Sequence, residues 1–253
     1  MRTFRLFIIL CVIVALAACD NKKGGADGVT IPDEERLPGD RSIYGLTCDG
    51  CTDSVLVFLS GQGGNPVNYN IIDASKNRKV IGRPEVGDWV CLVLNGKDKK
   101  KADIVIDLDQ LKGSWVNLEK PWLRKRLDAP SLGSMDDETK HRIDSMIKVQ
   151  LKAVEIGFAL RRHYEARPIG MEYSRNKNQD NPVVYPTPKF YTEWHIFNGK
   201  LVLTEGALRM GNQRKVKTKY NSDTVDIVML MRDSLRIRYK DGKEKGFYRK
   251  KSS

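Results

Sequence analysis

Cys48 and Cys51 stand as Cys48-Asp49-Gly50-Cys51, and two thiols at that spacing can form a disulfide, cycle electrons or supply half of a metal site. A redox pair needs its first cysteine at a helix N-terminus, where the dipole lowers the thiol pKa. Here the apolar run 55–59 follows and reads as a strand. A zinc site needs about four ligands, and only Cys91 with the scattered His141, His163 and His195 remain. The pair is therefore expected to close a turn, disulfide-bonded or reduced, with redox catalysis and metal binding as weaker alternatives. Cys91, inside an apolar run, reads as a buried small hydrophobe. Gly61-Gln62-Gly63-Gly64 follows a strand as a phosphate loop would, yet Asn65-Pro66-Val67 leads into another strand and no lysine-serine pair follows. It reads as a hairpin loop. No G-x-S-x-G elbow and no H-E-x-x-H is present. The expectation is a non-enzyme with no catalytic residue, metal or cofactor.

Chemistry of another kind is written at the start. Arg2 and Arg5 precede an unbroken apolar run, 6–18, that ends in Leu16-Ala17-Ala18-Cys19. A membrane-spanning helix needs about 20 apolar residues, so the run reads as the core of a secretory signal peptide, 1–18. The four closing residues look like a bacterial lipobox, which implies lipidation of Cys19 and anchoring in the cell envelope, most simply the outer membrane. Residues 19–40 are polar and carry Pro32 and Pro38, as a flexible tether would. Lysines follow Asp20 where an acidic run would favour surface export, so periplasmic exposure is favoured over the surface leaflet.

The elements that position the remaining residues are mostly strands. With 40% hydrophobic and 30% charged residues the chain is neither wholly disordered nor fibrous. Short β-type runs at 43–46, 55–59, 67–73, 79–82, 88–94 and 103–106, separated by turn clusters, predict a small all-β, barrel-like module over 41–107. One helix is expected over 135–152, capped by Ser134, with Ile143, Met146, Ile147, Leu151 and Val154 forming a stripe that packs on the sheet wall. In His195-Ile196-Phe197-Asn198-Gly199-Lys200-Leu201-Val202-Leu203, Asn-Gly supplies a type I′ turn. That turn pairs Ile196 with Leu201 and Trp194 with Leu203, on one face. A second hairpin at Asp241-Gly242 puts Leu235, Ile237 and Tyr239 on one face and Arg236, Arg238 and Lys240 on the other.

Three further features lie in this part. Gly113-Ser114-Trp115 follows a short helical lead-in, in the G-x-W form with which lipocalin barrels open. Gly157-Phe158-Ala159-Leu160, Tyr191-Thr192-Glu193-Trp194 and Lys200-Leu201-Val202-Leu203-Thr204 come next. The chain closes with Thr224-Val225-Asp226-Ile227, Asp233-Ser234-Leu235 and Phe247-Tyr248-Arg249-Lys250. In that order they make residues 108–250 resemble the lipocalin-like lipoprotein family of Bacteroidetes. The chain is thus expected to be mainly β: the small module and then, as the resemblance implies, an antiparallel lipocalin-like barrel with one inserted helix. It also implies that Trp115 plugs the closed end, with Arg249 as its cation–π partner, and that the barrel takes a small apolar or amphipathic ligand. The helix lies between the first two strands, and 176–188 is a long polar insertion; both depart from the family pattern.

Trp194, Ile196, Leu201, Leu203, Ile227, Met229, Leu235 and Ile237 are the expected inward residues. They would line a cavity, or equally fill a core. From residue 200 onward, fifteen Lys/Arg face six Asp/Glu, so the alternative is an interaction module docking an anionic envelope component or a protein partner through a basic face. An oxidoreductase using Cys48 and Cys51 ranks third. Export argues against a nucleic-acid partner.

Overall fold

A computed structural model describes residues 36–124, 136–174, 183–206, 209–210, 213–214 and 221–251. The leader, Cys19, the tether up to residue 35, Ser134 and residues 176–182 of the long insertion lie outside the described residues.

The first module contains β1 (Ile43–Thr47), β2 (Val55–Ser60), β3 (Val67–Asn70), the short helix Ile72–Lys76, β4 (Val80–Ile81), β5 (Trp89–Leu94) and β6 (Ala102–Asp107). The strands lie in the order β3-β2-β1-β5-β6-β4. All neighbours are antiparallel except β4 and β6. The Asn70 amide donates to the Lys100 carbonyl at 2.8 Å, and Asn70 bridges Lys101. The sheet therefore curls until β3 meets the start of β6, a partly closed barrel. Alternation along β2 turns Leu56 and Phe58 inward, onto Val90, Leu92 and Val105. The strand expected over 67–73 stops at Asn70, because its side chain accepts the Ile72 amide at 3.0 Å and turns the chain into the helix.

Cys48 and Cys51 lie as free, half-buried thiols in the turn that leads into β2. The Cys51 Sγ accepts the Val57 amide at 3.2 Å and lies 3.2 Å from the Cys48 carbonyl. The Cys48 amide also donates to the Val57 carbonyl at 2.8 Å, which ties the corner to β2.

The helix Leu108–Leu111 leads into the second part, which holds β7 (Gly113–Glu119), β8 (Trp122–Leu123), the helix Asp137–Gln150, β9 (Val154–Leu160), β10 (Ala166–Ile169), the helix Met171–Ser174, β11 (Val183–Val184), β12 (Tyr191–Phe197), β13 (Lys200–Glu205), β14 (Arg209–Met210), β15 (Gln213–Arg214), β16 (Ser222–Leu230), β17 (Ser234–Arg238) and β18 (Glu244–Arg249). Eight of these strands form one antiparallel sheet, β10-β9-β7-β18-β17-β16-β13-β12. Its two edges meet: Glu165 bridges Glu193, and the Trp194 amide donates to the Tyr164 carbonyl at 2.9 Å. The result is a nearly closed barrel with a helix inserted between β7 and β9. Asn198 (φ 48°) and Gly199 (φ 82°) make the expected turn, and Ile196 faces Leu201 while Trp194 faces Leu203.

Two expectations are corrected. The helix Asp137–Gln150 is capped by Asp136, whose carboxylate accepts the Thr139 amide at 2.8 Å. Its stripe is not buried on the wall: Met146 is exposed, and Ile147 and Leu151 are only half-buried. Met146 and Val149 of the helix meet solvent rather than the wall. The second correction concerns Met229. The register between β16 and β17 shifts after Ile227, so Leu230 faces Leu235 and enters the core, while Met229 faces Arg236 and is half-buried. A bulge inserts one residue and reverses the faces beyond it.

The two parts share a core. Tyr44, Ile81, Cys91 and Ile106 of the first belong to the same buried cluster as Trp194, Ile196, Ile227 and Leu230 of the second. Asp40 ties the junction: its carboxylate accepts the Tyr44 hydroxyl at 2.6 Å, the Ser42 hydroxyl at 2.7 Å and the Asn198 amide at 2.9 Å. Burial opposes its charge, yet these bonds hold the Asp40 carboxyl below the usual carboxylate range.

Candidate functional site

Strand alternation sets what the barrel interior contains from one end to the other. Along β7 the inward positions are Trp115, Asn117 and Glu119. Along β18 they are Arg249, Phe247 and Lys245, and along β16 Ile227, Val225 and Asp223. On β13 they are Leu201, Leu203 and Glu205. Antiparallel pairing places the last residue of each series at the same end. Each series thus ends on a polar residue at the upper end and, Arg249 apart, begins on an apolar or aromatic one, so the barrel has a packed lower half and a charged mouth.

At the lower end Trp115 is fully buried and donates its indole N–H to the Leu111 carbonyl at 2.8 Å. The Arg249 guanidinium lies 4.3 Å from the centre of its ring. It also donates to the carbonyls of Lys112 (2.8 Å), Gln110 (2.5 Å) and Arg232 (2.6 Å). Gly113 is required beside it, because a Cβ there would collide with the guanidinium.

Above this plug the expected ligand-lining residues fill the space themselves. Trp194, Ile196, Leu201, Leu203, Ile227, Leu235 and Ile237 are all between 0% and 6% exposed. A void wide enough for a ligand would leave accessible surface on its walls, so these seven buried side chains belong to the core. Phe158 adds edge-on contacts to Tyr191 and Phe247, at 5.9 and 5.1 Å between ring centres.

The mouth is different. The Asp223 carboxylate accepts the Tyr191 hydroxyl and the Lys189 ammonium, the latter at 2.5 Å. Lys189 also lies 5.5 Å from the centre of the Tyr239 ring. Across the mouth, Lys245 pairs with Glu119 at 2.5 Å and sits 5.6 Å from the centre of the Phe247 ring. The Asn117 amide nitrogen donates to Glu119 at 3.2 Å, while its buried Oδ1 has no hydrogen-bond partner among the described residues. The side chains of Asp223, Glu119 and Lys245 are 27%, 32% and 35% exposed, so the collar is reachable where the core is not.

The electrostatics follow from these pairs. The Lys245 hydrogen bond holds the Glu119 carboxyl low, against its partial burial. Burial disfavours charge on Lys189, but Asp223 outweighs it and keeps the ammonium protonated. Burial and the anionic Asp223 together push the Tyr191 hydroxyl well above the ordinary phenol range, so it remains a donor.

Sequence reasoning places the four hairpin residues on one face but misses Glu119, Lys189, Tyr191, Asp223 and Lys245. Continuing each period-two face past its apolar run reaches Glu119, Asp223 and Lys245. Nothing local marks Lys189.

No protein-family model matches the chain, and no curated protein matches it. Among solved structures, a lipocalin-like protein from Bacteroides thetaiotaomicron aligns at 20% identity and a TM-score of 0.28. The alignment covers 56% of this chain and 97% of that one. The barrel itself is established by its own hydrogen bonds, closed at Glu165–Glu193. Among the described residues no group of three or more His, Cys, Asp or Glu is arranged to hold a metal, and no helix is long and apolar enough to cross a membrane.

Proposed function

We propose that this chain is a lipid-anchored cell-envelope protein, held by Cys19 in the outer membrane and without enzymatic activity, whose barrel takes a small amphipathic ligand at its mouth. The polar collar supports this reading: two lysine–carboxylate pairs and the unpartnered Asn117 Oδ1 face inward above the aromatic residues Tyr191 and Phe247. The charged head of such a ligand meets these paired groups at the rim, while its apolar tail stays outside the packed core. Its head displaces water from groups already paired and pre-oriented, which limits the ordering cost of binding.

Dodecylphosphocholine below its micelle concentration is a suitable probe, because its head carries one charge of each sign. Native mass spectrometry and calorimetry on the mature chain with Cys19→Ser should show one saturable site. Lys245→Met should weaken it about tenfold, which is about 1.4 kcal/mol. Absence of any saturable site, or binding indifferent to both Lys245→Met and Asp223→Asn, overturns the reading.

A further inference from the structure

A second concavity lies away from the mouth, in the groove between the two modules, with a volume of about 550 Å³. That falls within the range of small-molecule sites, which favour such junctions. One lip is the turn Asn77-Arg78-Lys79 of the first module; the other is the hairpin turn at Asn198 and Lys200, with Asp226 and Arg238 on the neighbouring strands. The floor includes Ile81 and Ile227, both buried.

Four cations line this groove against one carboxylate. Lys200 is matched to Asp226 at 2.7 Å, and Arg238 donates to Glu244 at 2.9 and 2.6 Å. Arg78 and Lys79 pair with no carboxylate among the described residues. Arg78 is also held at φ 55°, a conformation that residues other than glycine seldom adopt. On the facing lip Asn198 spends its side-chain oxygen on the Arg41 amide at 3.0 Å, which leaves its NH₂ as a further donor. Donors thus surround the groove on both sides, and its acceptors are already engaged.

We infer that the groove between the modules is a binding site for a small organic anion of the phosphate- or sulfate-ester class, held by Arg78 and Lys79 from one module and by the Asn198–Lys200 turn from the other. A guanidinium fork beside an ammonium matches a doubly charged tetrahedral oxyanion better than a single carboxylate. The ester can belong to a soluble molecule or to a lipid headgroup. The site is independent of the barrel mouth and does not rest on the function proposed for it.

The test uses the mature chain with Cys19→Ser and inorganic pyrophosphate as probe, measured by calorimetry at fixed ionic strength. One saturable site is expected, weakened about tenfold or more in Arg78→Gln/Lys79→Gln. It should be unchanged in Arg236→Gln/Lys240→Gln, which removes the same charge from the outer wall, and in Lys245→Met at the mouth. In parallel, flotation with vesicles containing phosphatidylglycerol distinguishes the sources. Binding that Arg78→Gln/Lys79→Gln abolishes assigns the ester to a headgroup, and pyrophosphate binding without flotation assigns it to a soluble molecule. No saturable site for either probe, or equal loss in both double variants, overturns the inference.

Discussion

Arg249 lies across the face of Trp115, its cross-strand partner on β7, with 4.3 Å between the guanidinium carbon and the ring centre. The same guanidinium accounts for carbonyls at the end of the helix Leu108–Leu111 that have no partner within it. One side chain thereby joins the first barrel strand, the last one and the lead-in helix. Arg249→Ala should lower the unfolding free energy by about 3 kcal/mol, read by urea denaturation, since hydrogen bonds from a charged group are each worth about 1.5–3 kcal/mol and do not add fully. Gly113→Ala should cost a similar amount by evicting the guanidinium, and combining the two changes should cost less than their sum.

Asp107 caps that same helix, accepting the Gln110 amide at 2.8 Å, but is almost fully buried. Burial raises its carboxyl to about 6 from an ordinary 3.8. Folding therefore favours the protonated acid. The stabilisation is complete below about pH 3.8 and is lost as pH rises through about 6. Asp107→Asn keeps the capping acceptor and removes the charge. Between about pH 4 and 7 the stability of the wild type relative to this variant should fall by about 3 kcal/mol. A flat difference across that window would show that the acid is not perturbed.

The bulge in β16 predicts an inversion of sensitivity at adjacent positions. Leu230→Ala should cost about 2–4 kcal/mol and Met229→Ala about 1 or less, because only the former opens a hole in the core. Thermal or chemical denaturation of the two variants settles which residue points inward.

The thiols should separate kinetically. Burial pushes Cys91 up to about 12, and no solvent reaches it. In the reduced mature chain, from residue 19 onward and with Cys19→Ser, a thiol reagent should modify Cys48 and Cys51, both half-buried, and reach Cys91 only after denaturation. Rapid modification of all three thiols in the native state would contradict the packing around Cys91.

The proposed membrane attachment rests on Cys19. Metabolic labelling with a fatty acid should mark the wild-type chain, and Cys19→Ala should lose the label and move to the soluble fraction. A variant that keeps the label would place the anchor elsewhere.

Much of this fold is legible in the order of the residues. Asn198-Gly199 dictates a type I′ turn, and with it the facing of Trp194 and Leu203, because turn chemistry and strand alternation act over a few residues. The two β-rich parts and the inserted helix are readable from spacing, whereas only the family resemblance brings Trp115 and Arg249 together. What local pattern does not decide is which strand ends share a space. Lys189 meets Asp223 across 34 residues, and Lys245 meets Glu119 across 126. Whether inward apolar side chains enclose a cavity or fill one depends on barrel closure and on the bulge that exchanges Met229 for Leu230, and both arise from long-range pairing. Sequence determined most of the strands and the facing within the Asn198-Gly199 hairpin; only the tertiary structure decided which face of β16 turns inward, that the apolar face is filled by its own side chains and that the reachable chemistry lies at the rim.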